Sequence, residues 1–418
     1  MNLLLALLLA AQVEAGLALS EEQAVELALK NSPALRAQRD SVDEARALTD
    51  VETRWNNPEL RVSGLRYDRL VEPTVNRDPY PLDPFYHAKV RLRWAPPGLG
   101  ERGAREAEGK AEEAKAGRDL AMATRDTVAL ARSLHARIVS YDEQLALGKE
   151  VLQQRETLRD LVKSRLALHA ATRMELSLSE VDCLDASTEL TELESHRKAA
   201  YDELLLLLGL PPGSNVTLIP EQTESCADVP DVAQWIERAE KASPRLRVYE
   251  AETSAADAAR TRSWLALVPW FDFFEVQYGM GGHTNSGYDP SYVSFGFQLT
   301  LPLFDWKLAD RRALAARQHG LLERVRADKL EVSQAILRAA AAQAEQAALV
   351  RRYRDAASVV EEGLAHIHRA LKSGEVSNLM QVVELDARLS DTKRSYLRAR
   401  LDCKLNRIEL DRLASSGR

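Results

Sequence analysis

Three cysteines, two neighbouring histidines and a glycine-rich pentapeptide are the residues whose types and spacing invite a chemical reading. Cys183, Cys226 and Cys403 are odd in number and show no paired spacing, which implies neither a zinc site nor a disulfide framework. Cys403 falls in a heptad seam and reads as a small buried hydrophobe, while Cys226, in a polar linker, reads as the exposed one. His366-Ile367-His368 has an i,i+2 spacing that sends the imidazoles to different faces of a helix, so a surface or seam role outweighs metal ligation. Gly279-Met280-Gly281-Gly282-His283 has the glycine content of a phosphate loop, but it follows a strand and enters a Gly/Asn/Pro stretch rather than a helix. It reads as a hairpin loop. No Gly-x-Ser-x-Gly, Walker or His-Glu-x-x-His motif occurs, and the acids mostly sit i,i+3 or i,i+4 from Arg and Lys. The chemistry expected of the chain is therefore that of a non-enzyme with no cofactor and no metal site of its own.

The elements that carry these residues are duplicated. Ser32-Pro33-Ala34-Leu35-Arg36 matches Ser243-Pro244-Arg245-Leu246-Arg247 at a shift of 211, which also superposes Gln23 on Gln234, Pro58 on Pro269 and Tyr67 on Tyr278. Further on, a shift of 205 pairs Pro97 with Pro302, Ala104 with Ala309, Thr172 with Ser377 and Leu208 with Leu413. A repeat of this length is an architecture rather than a catalytic signature. The boundaries read as a first repeat over 16–210, a linker over 211–230 with Pro211-Pro212-Gly213 at its head, and a second repeat over 231–418.

Charged residues make up 28% of the chain and aromatics 6%, a profile of long solvated helices. The net charge of −7 arises from 63 acids interleaved with 56 bases, which leaves no basic stripe for nucleic acid. At the N-terminus, Leu3 to Ala11 is apolar and Val13-Glu14-Ala15 offers a small-residue cleavage site, so 1–15 reads as a secretory signal; the n-region has no Lys or Arg, and a structural helix start is the alternative. Nowhere else does an apolar run approach the ~20 residues of a spanning helix.

The helical signal is strongest after Pro97-Gly98. Ala131, Leu134, Ile138, Tyr141, Leu145, Gly148 and Leu152 alternate by three and four, as do Leu385, Leu389, Thr392, Tyr396, Ala399, Cys403, Asn406, Leu410 and Leu413. A proline-free run of ~68 residues at 1.5 Å each predicts a rod of ~100 Å. The long hairpins are expected over 101–210, with a tip near 167–173, and over 305–415, with a tip near 372–378. In the second, Gly374 takes the C′ place and Ser377 the N-cap; in the first, His169 replaces the glycine and Thr172 caps.

Four strands are expected, near 59–67, 86–96, 271–280 and 291–301. Ala88, Val90, Leu92 and Trp94 alternate with Lys89, Arg91 and Arg93, and Val293, Phe295, Phe297 and Leu299 alternate with Ser294, Gly296, Gln298 and Thr300. No other segment offers a cover for the apolar face, so the alternation fits lipid outside and water inside. Four strands cannot close a barrel, and closure demands several protomers. Lys89, Arg91 and Arg93 would then face the lumen; the alternative is that they pair with acids of a neighbouring strand.

In this order, helix, Ser-Pro-x-Leu-Arg, strand, loop, strand, Pro and long hairpin, twice over, the chain resembles the TolC family of outer-membrane efflux proteins from Leu19 to Leu413. The carrying motifs are Ala28-Leu29-Lys30-Asn31-Ser32-Pro33-Ala34-Leu35, Asn57-Pro58-Glu59-Leu60, Leu301-Pro302-Leu303-Phe304-Asp305 and Gly374-Glu375-Val376-Ser377-Asn378-Leu379. The resemblance implies a mainly α fold with a small β part, assembled as a homotrimer with a twelve-stranded outer-membrane β-barrel continued by a trimeric α-helical barrel in the periplasm of a Gram-negative bacterium. It further implies docking, through the tip turns at His169, Thr172, Gly374 and Ser377, to a periplasmic adaptor (membrane fusion) protein of an inner-membrane pump, with outer-membrane lipid around the strands. Trp55-Asn56-Asn57-Pro58-Glu59-Leu60 and the run from Pro96 to Arg105 resemble the heavy-metal cation efflux members, whose pumps are of the resistance-nodulation-division type. Multidrug efflux and type I protein secretion stay open as alternatives. A soluble secreted coiled-coil scaffold is the competing class, though it leaves the strands unexplained.

The family also places acidic gate residues just past the second tip, where this chain has Met380 and Val383. The gate candidates are then Glu384 and Asp386, with Glu175 at the place matching Met380 in the first repeat. The alternative reading makes them acids that stabilise the hairpins.

Overall fold

The computed structural model describes residues 17–67, 85–169, 171–220, 226, 231–283, 291–301, 307–372 and 379–415. In chain order they form β1 (Leu17–Leu19), α1 (Glu21–Asn31), α2 (Pro33–Glu52), β2 (Glu59–Tyr67), β3 (Phe85–Trp94), α3 (Glu101–Ala167), α4 (Arg173–Leu207) and β4 (Val216–Leu218). There follow α5 (Val232–Ala242), α6 (Pro244–Leu265), β5 (Trp270–His283), β6 (Ser291–Thr300), α7 (Leu308–Lys372) and α8 (Leu379–Ala414). The fold is mainly helical with a small β part.

The sequence duplication reappears as local geometry. Ser20 caps α1 by accepting from the Gln23 amide, and Asp231 caps α5 by accepting from the amides of Ala233 and Gln234. Both helices run 11 residues and stop at a serine followed by proline. Ser32 (φ −56°, ψ 118°) and Ser243 (φ −58°, ψ 117°) adopt the same extended conformation, because a following proline crowds its predecessor out of the helical region. A Ser-Pro dipeptide thus makes the same break in both copies.

Two compact units divide the chain, one of Met1–Asp40, Arg118–Leu246 and Ala327–Arg418, the other of Ser41–Gly117 and Arg247–Arg326. Each draws on both repeats. In the first unit, Ala24 and Ala28 of α1, Ala131, Leu134 and Ile138 of α3, and Leu204, Leu205 and Leu208 of α4 form one core cluster with Leu19 and Val216. Small residues at the heptad positions let the helices approach closely, and the larger ones fill the gaps. A second cluster joins Trp235 and Ala239 of α5 to Ile336 and Ala340 of α7 and Leu410 of α8. Ion pairs link the repeats: Glu21 meets Lys404 at 2.6 Å, and Glu189 meets Arg394 and Arg398, while Arg132 of the first repeat also approaches Glu21 at 3.5 Å.

The described residues of the linker, 211–220 and 226, are more structured than their composition suggests. Of these, Val216–Leu218 pairs in parallel with β1, Leu17 opposite Val216 and Leu19 opposite Leu218. The Tyr201 hydroxyl accepts from the Val216 amide at 2.6 Å and donates to the Ser214 carbonyl at 2.8 Å, tying the linker to α4. Cys226 and Cys403 are joined by a disulfide, with Cα atoms 6.1 Å apart and 177 residues between them in sequence. This corrects the readings of Cys403 as a plain buried hydrophobe and of Cys226 as an exposed thiol. The pairing depends on where the linker lies against α8, and no local spacing encodes it. Cys183 is free and buried.

The second unit holds a four-stranded antiparallel sheet in the order β2-β3-β5-β6. Helix α3 begins beside it where Glu101 accepts from the Gly98 amide at 2.8 Å and from Arg105 at 2.6 Å. Gly109 lies against Thr49; a Cβ there would come within 2.5 Å of the threonine hydroxyl, so only glycine fits the approach of α2 to α3. Among the described residues no helix is long and apolar enough to cross a membrane.

Candidate functional site

The sheet is the first candidate surface. Its register sets Leu60 and Val62 of β2 opposite Leu92 and Val90 of β3, which face Val276 and Tyr278 of β5, which in turn face Phe295 and Val293 of β6. Alternation puts all eight on one face. That face is open: Leu60 is 68% exposed, Val62 71%, Phe295 80% and Phe297 69%. Leaving a large apolar side chain in water forgoes about 1.5–3 kcal/mol, and a contiguous exposed apolar patch is the kind of surface that marks an interaction with protein or membrane. The surface calls for an apolar surrounding.

The opposite face carries the basic strand residues. Arg91 pairs through Nε with Glu275 at 3.1 Å, a carboxylate only 17% exposed, and donates to Gln277 Oε1 at 3.1 Å. The Arg93 guanidinium lies 3.9 Å from the centroid of the Phe273 ring. Lys89 is half-buried opposite Ser63 and Gly279. Arg91 therefore has an acidic neighbour-strand partner, and its charge is largely spent within the sheet.

Gly279-Met280-Gly281-Gly282-His283 does not leave the sheet as a loop. It continues β5, with Met280 opposite Ala88 and His283 opposite Phe85. A Cβ on Gly279 would sit 2.5 Å from the Tyr292 ring, whose hydroxyl accepts from Gln277 Nε2 at 3.0 Å. The glycine makes room for a tyrosine, which a glycine count in sequence does not reveal.

The second surface is the first-repeat tip. His169 adopts the left-handed conformation (φ 56°) that ends α3, a place where glycine is usual, and its amide donates to the Leu166 carbonyl at 3.0 Å. Thr172 then caps α4: the Glu175 amide donates to its hydroxyl at 3.2 Å, while the Glu175 carboxylate accepts from the Thr172 amide at 2.6 Å and from its hydroxyl at 2.9 Å. The backbone hydrogen bond from Thr172 and then its hydroxyl hold the Glu175 carboxyl below the ordinary carboxylate range. Met174, Leu178, Val181 and Leu184 run exposed along α4 from this turn.

The second-repeat tip residues Gly374 and Ser377 lie outside the described residues, as do 1–15. Glu384 and Asp386 fall in α8, and their side chains lie outside the described ones. His366 is exposed on α7. Among the described residues no group of three or more His, Cys, Asp or Glu is placed to hold a metal ion.

No family model and no curated relative matches the chain. Solved structures do. A membrane protein from Pseudomonas aeruginosa aligns with a TM-score of 0.75 at 19% identity, over 94% of this chain and 93% of that one. CusC, described in terms of the conformational changes that accompany folding and transmembrane channel formation, aligns at 0.71 and 16% identity over 94% and 92%. The outer membrane protein VceC from Vibrio cholerae aligns at 0.72 and 15% identity over 95% and 97%. Over 94–95% of its length the chain has the fold of the TolC-like outer-membrane channels.

Proposed function

We propose that the chain is the outer-membrane channel of a tripartite efflux system, a passive export duct that three copies complete. The observation that carries this reading is the exposed apolar face of the four-stranded sheet. It needs lipid on one side, and three such sheets supply the twelve strands of a closed barrel. The Cys226–Cys403 disulfide supports an extracytoplasmic setting, since disulfides persist in oxidising compartments such as the periplasm. The hairpins continue the duct, and their tip turns at His169, Thr172, Gly374 and Ser377 dock to a periplasmic adaptor of an inner-membrane pump. At the first tip Glu175 serves as a capping acid, because its carboxylate is taken up by Thr172; gating falls to Glu384 and Asp386 beyond the second tip. Heavy-metal cations are the proposed cargo and a resistance-nodulation-division pump the proposed partner, on the motifs at Trp55–Leu60 and Pro96–Arg105 alone.

Membrane fractionation with heat-modifiable gel mobility and mass in detergent tests the channel. A trimer of about 140 kDa from 46.6 kDa chains in the outer membrane is expected; a monodisperse soluble species that needs no detergent would overturn the reading in favour of a scaffold. Cargo is tested apart from this, by whether the gene restores metal tolerance to a channel-deficient host. Restored drug tolerance without metal tolerance would move the assignment to multidrug efflux.

A further inference from the structure

At the end of the sheet nearest α3, an aromatic ladder connects the apolar face to a cation. Phe297 meets Phe271 at 5.9 Å between centroids, Phe271 meets Phe274 at 4.7 Å, Phe274 meets Trp94 at 6.4 Å and Trp94 meets Trp55 at 6.0 Å. The Arg102 guanidinium then lies 5.5 Å from the Trp55 ring centroid. Backbone carbonyls fix the polar atoms of this row: Trp94 Nε1 donates to Asn56 O at 3.0 Å and Arg102 Nε to Thr53 O at 3.1 Å. The rings are held in place while Trp55 and Arg102 stay exposed. On the apolar side of the ladder a groove of about 330 Å³ is lined mainly by Leu92, Trp94, Phe274, Val276, Phe295 and Phe297, with Glu275, whose carboxylate pairs with Arg91, also at its wall; the volume lies within the ordinary range of roughly 300–1,000 Å³ for small-ligand sites.

The order of chemistry along this surface is apolar groove, indole rings, guanidinium. A phospholipid presents the same order as acyl chain, interfacial glycerol, phosphate. Indoles settle at the membrane–water boundary, and a guanidinium binds phosphate oxygens with charge-assisted hydrogen bonds. We propose that this surface is a phospholipid site, with an acyl chain along the groove and the phosphate held by Arg102 beside Trp55. The site rests on the reading of the sheet as lipid-facing and adds to it a particular molecule at a particular place.

The test uses the detergent-purified full chain titrated with an acyl-brominated phosphatidylglycerol and, separately, with an acyl-brominated sugar detergent, each read by quenching of tryptophan fluorescence. The phospholipid is expected to quench at lower concentration than the detergent by about fivefold, the contribution of one basic side chain near a membrane phosphate. Arg102→Gln is expected to abolish that preference, Arg102→Lys to keep part of it, and Trp55→Phe to reduce the quenched amplitude. A wild-type preference that survives in Arg102→Gln overturns the site, as does equal quenching by both probes, which would mean non-specific boundary lipid. Quenching by neither probe, in a protein soluble without detergent, overturns the lipid-facing sheet itself, so the two failures are distinct.

Discussion

At Thr172 and Glu175 one hydrogen-bonded pair does two jobs that are separable by experiment. The threonine satisfies an orphan amide of α4, and the glutamate returns the favour to the threonine amide, closing a capping box. Thr172→Ala is expected to cost the tip about 1 kcal/mol, seen as faster hydrogen exchange at the first-turn amides of α4; exchange equal to wild type would show that the turn is held by other contacts. Because the turn lowers the Glu175 pKa, its contribution is fully present above the ordinary carboxylate value of 4.5 and is lost as the pH falls through the lowered native value. Acid should therefore loosen the first tip in wild type. In Glu175→Gln, which keeps the hydrogen-bonding shape without the ionisation, that pH dependence should vanish. Single-channel conductance of the same variant is expected to stay at the wild-type level, since a capping acid sets no pore charge; a changed cation selectivity would return Glu175 to the gate.

At the level of elements, the two faces of β6 make opposite demands, and a pair of adjacent substitutions reads them. Phe295→Lys places a charge on the open face and is expected to destabilise a lipid-embedded protein by about 2–4 kcal/mol, measured by denaturant unfolding in vesicles. Ser294→Lys, one residue away on the other face, should be nearly neutral. In a soluble scaffold an 80% exposed position would shift stability by no more than about 0.5 kcal/mol either way, so equal, small effects would refute the lipid assignment. These elements were legible in the sequence for a physical reason. Alternation of period two and heptads of period 3.5 are dictated by backbone geometry, so Val90, Leu92, Phe295 and Phe297 or Leu134, Ile138 and Leu145 declare their faces without knowledge of any partner. Gly279 did not declare itself, because its reason is the Tyr292 ring on the next strand. Strands of three residues such as β1 and β4 carry too few positions to show a period at all.

For the whole molecule, the feature least legible in sequence is the one that closes the longest loop. Cys226 and Cys403 become partners only when the inter-repeat linker is laid on α8, and three cysteines with no common spacing leave the choice of pair undetermined. The bond sits in a small cluster with Val350 and Ala399, and Gln343 Nε2 approaches Cys403 Sγ at 3.1 Å. Cross-linking residues 177 apart removes much of the freedom of the unfolded chain, up to about 5 kcal/mol by loop-closure entropy. Cys226→Ser is the cleaner probe, because Cys226 is only half-buried whereas serine at Cys403 would set a hydroxyl into the core. The oxidised wild-type chain, denatured without reductant, should migrate faster on a gel than Cys226→Ser, and reductant should erase the difference. The variant should also unfold at lower denaturant, and wild type under reductant should follow it. If mobility ignores reductant, the two thiols are not joined and the linker is held by packing alone. If mobility responds while stability does not, the bond forms but the linker is already fixed by Tyr201 and the β1–β4 pair, and the disulfide then records the compartment in which the chain folds rather than what keeps it folded.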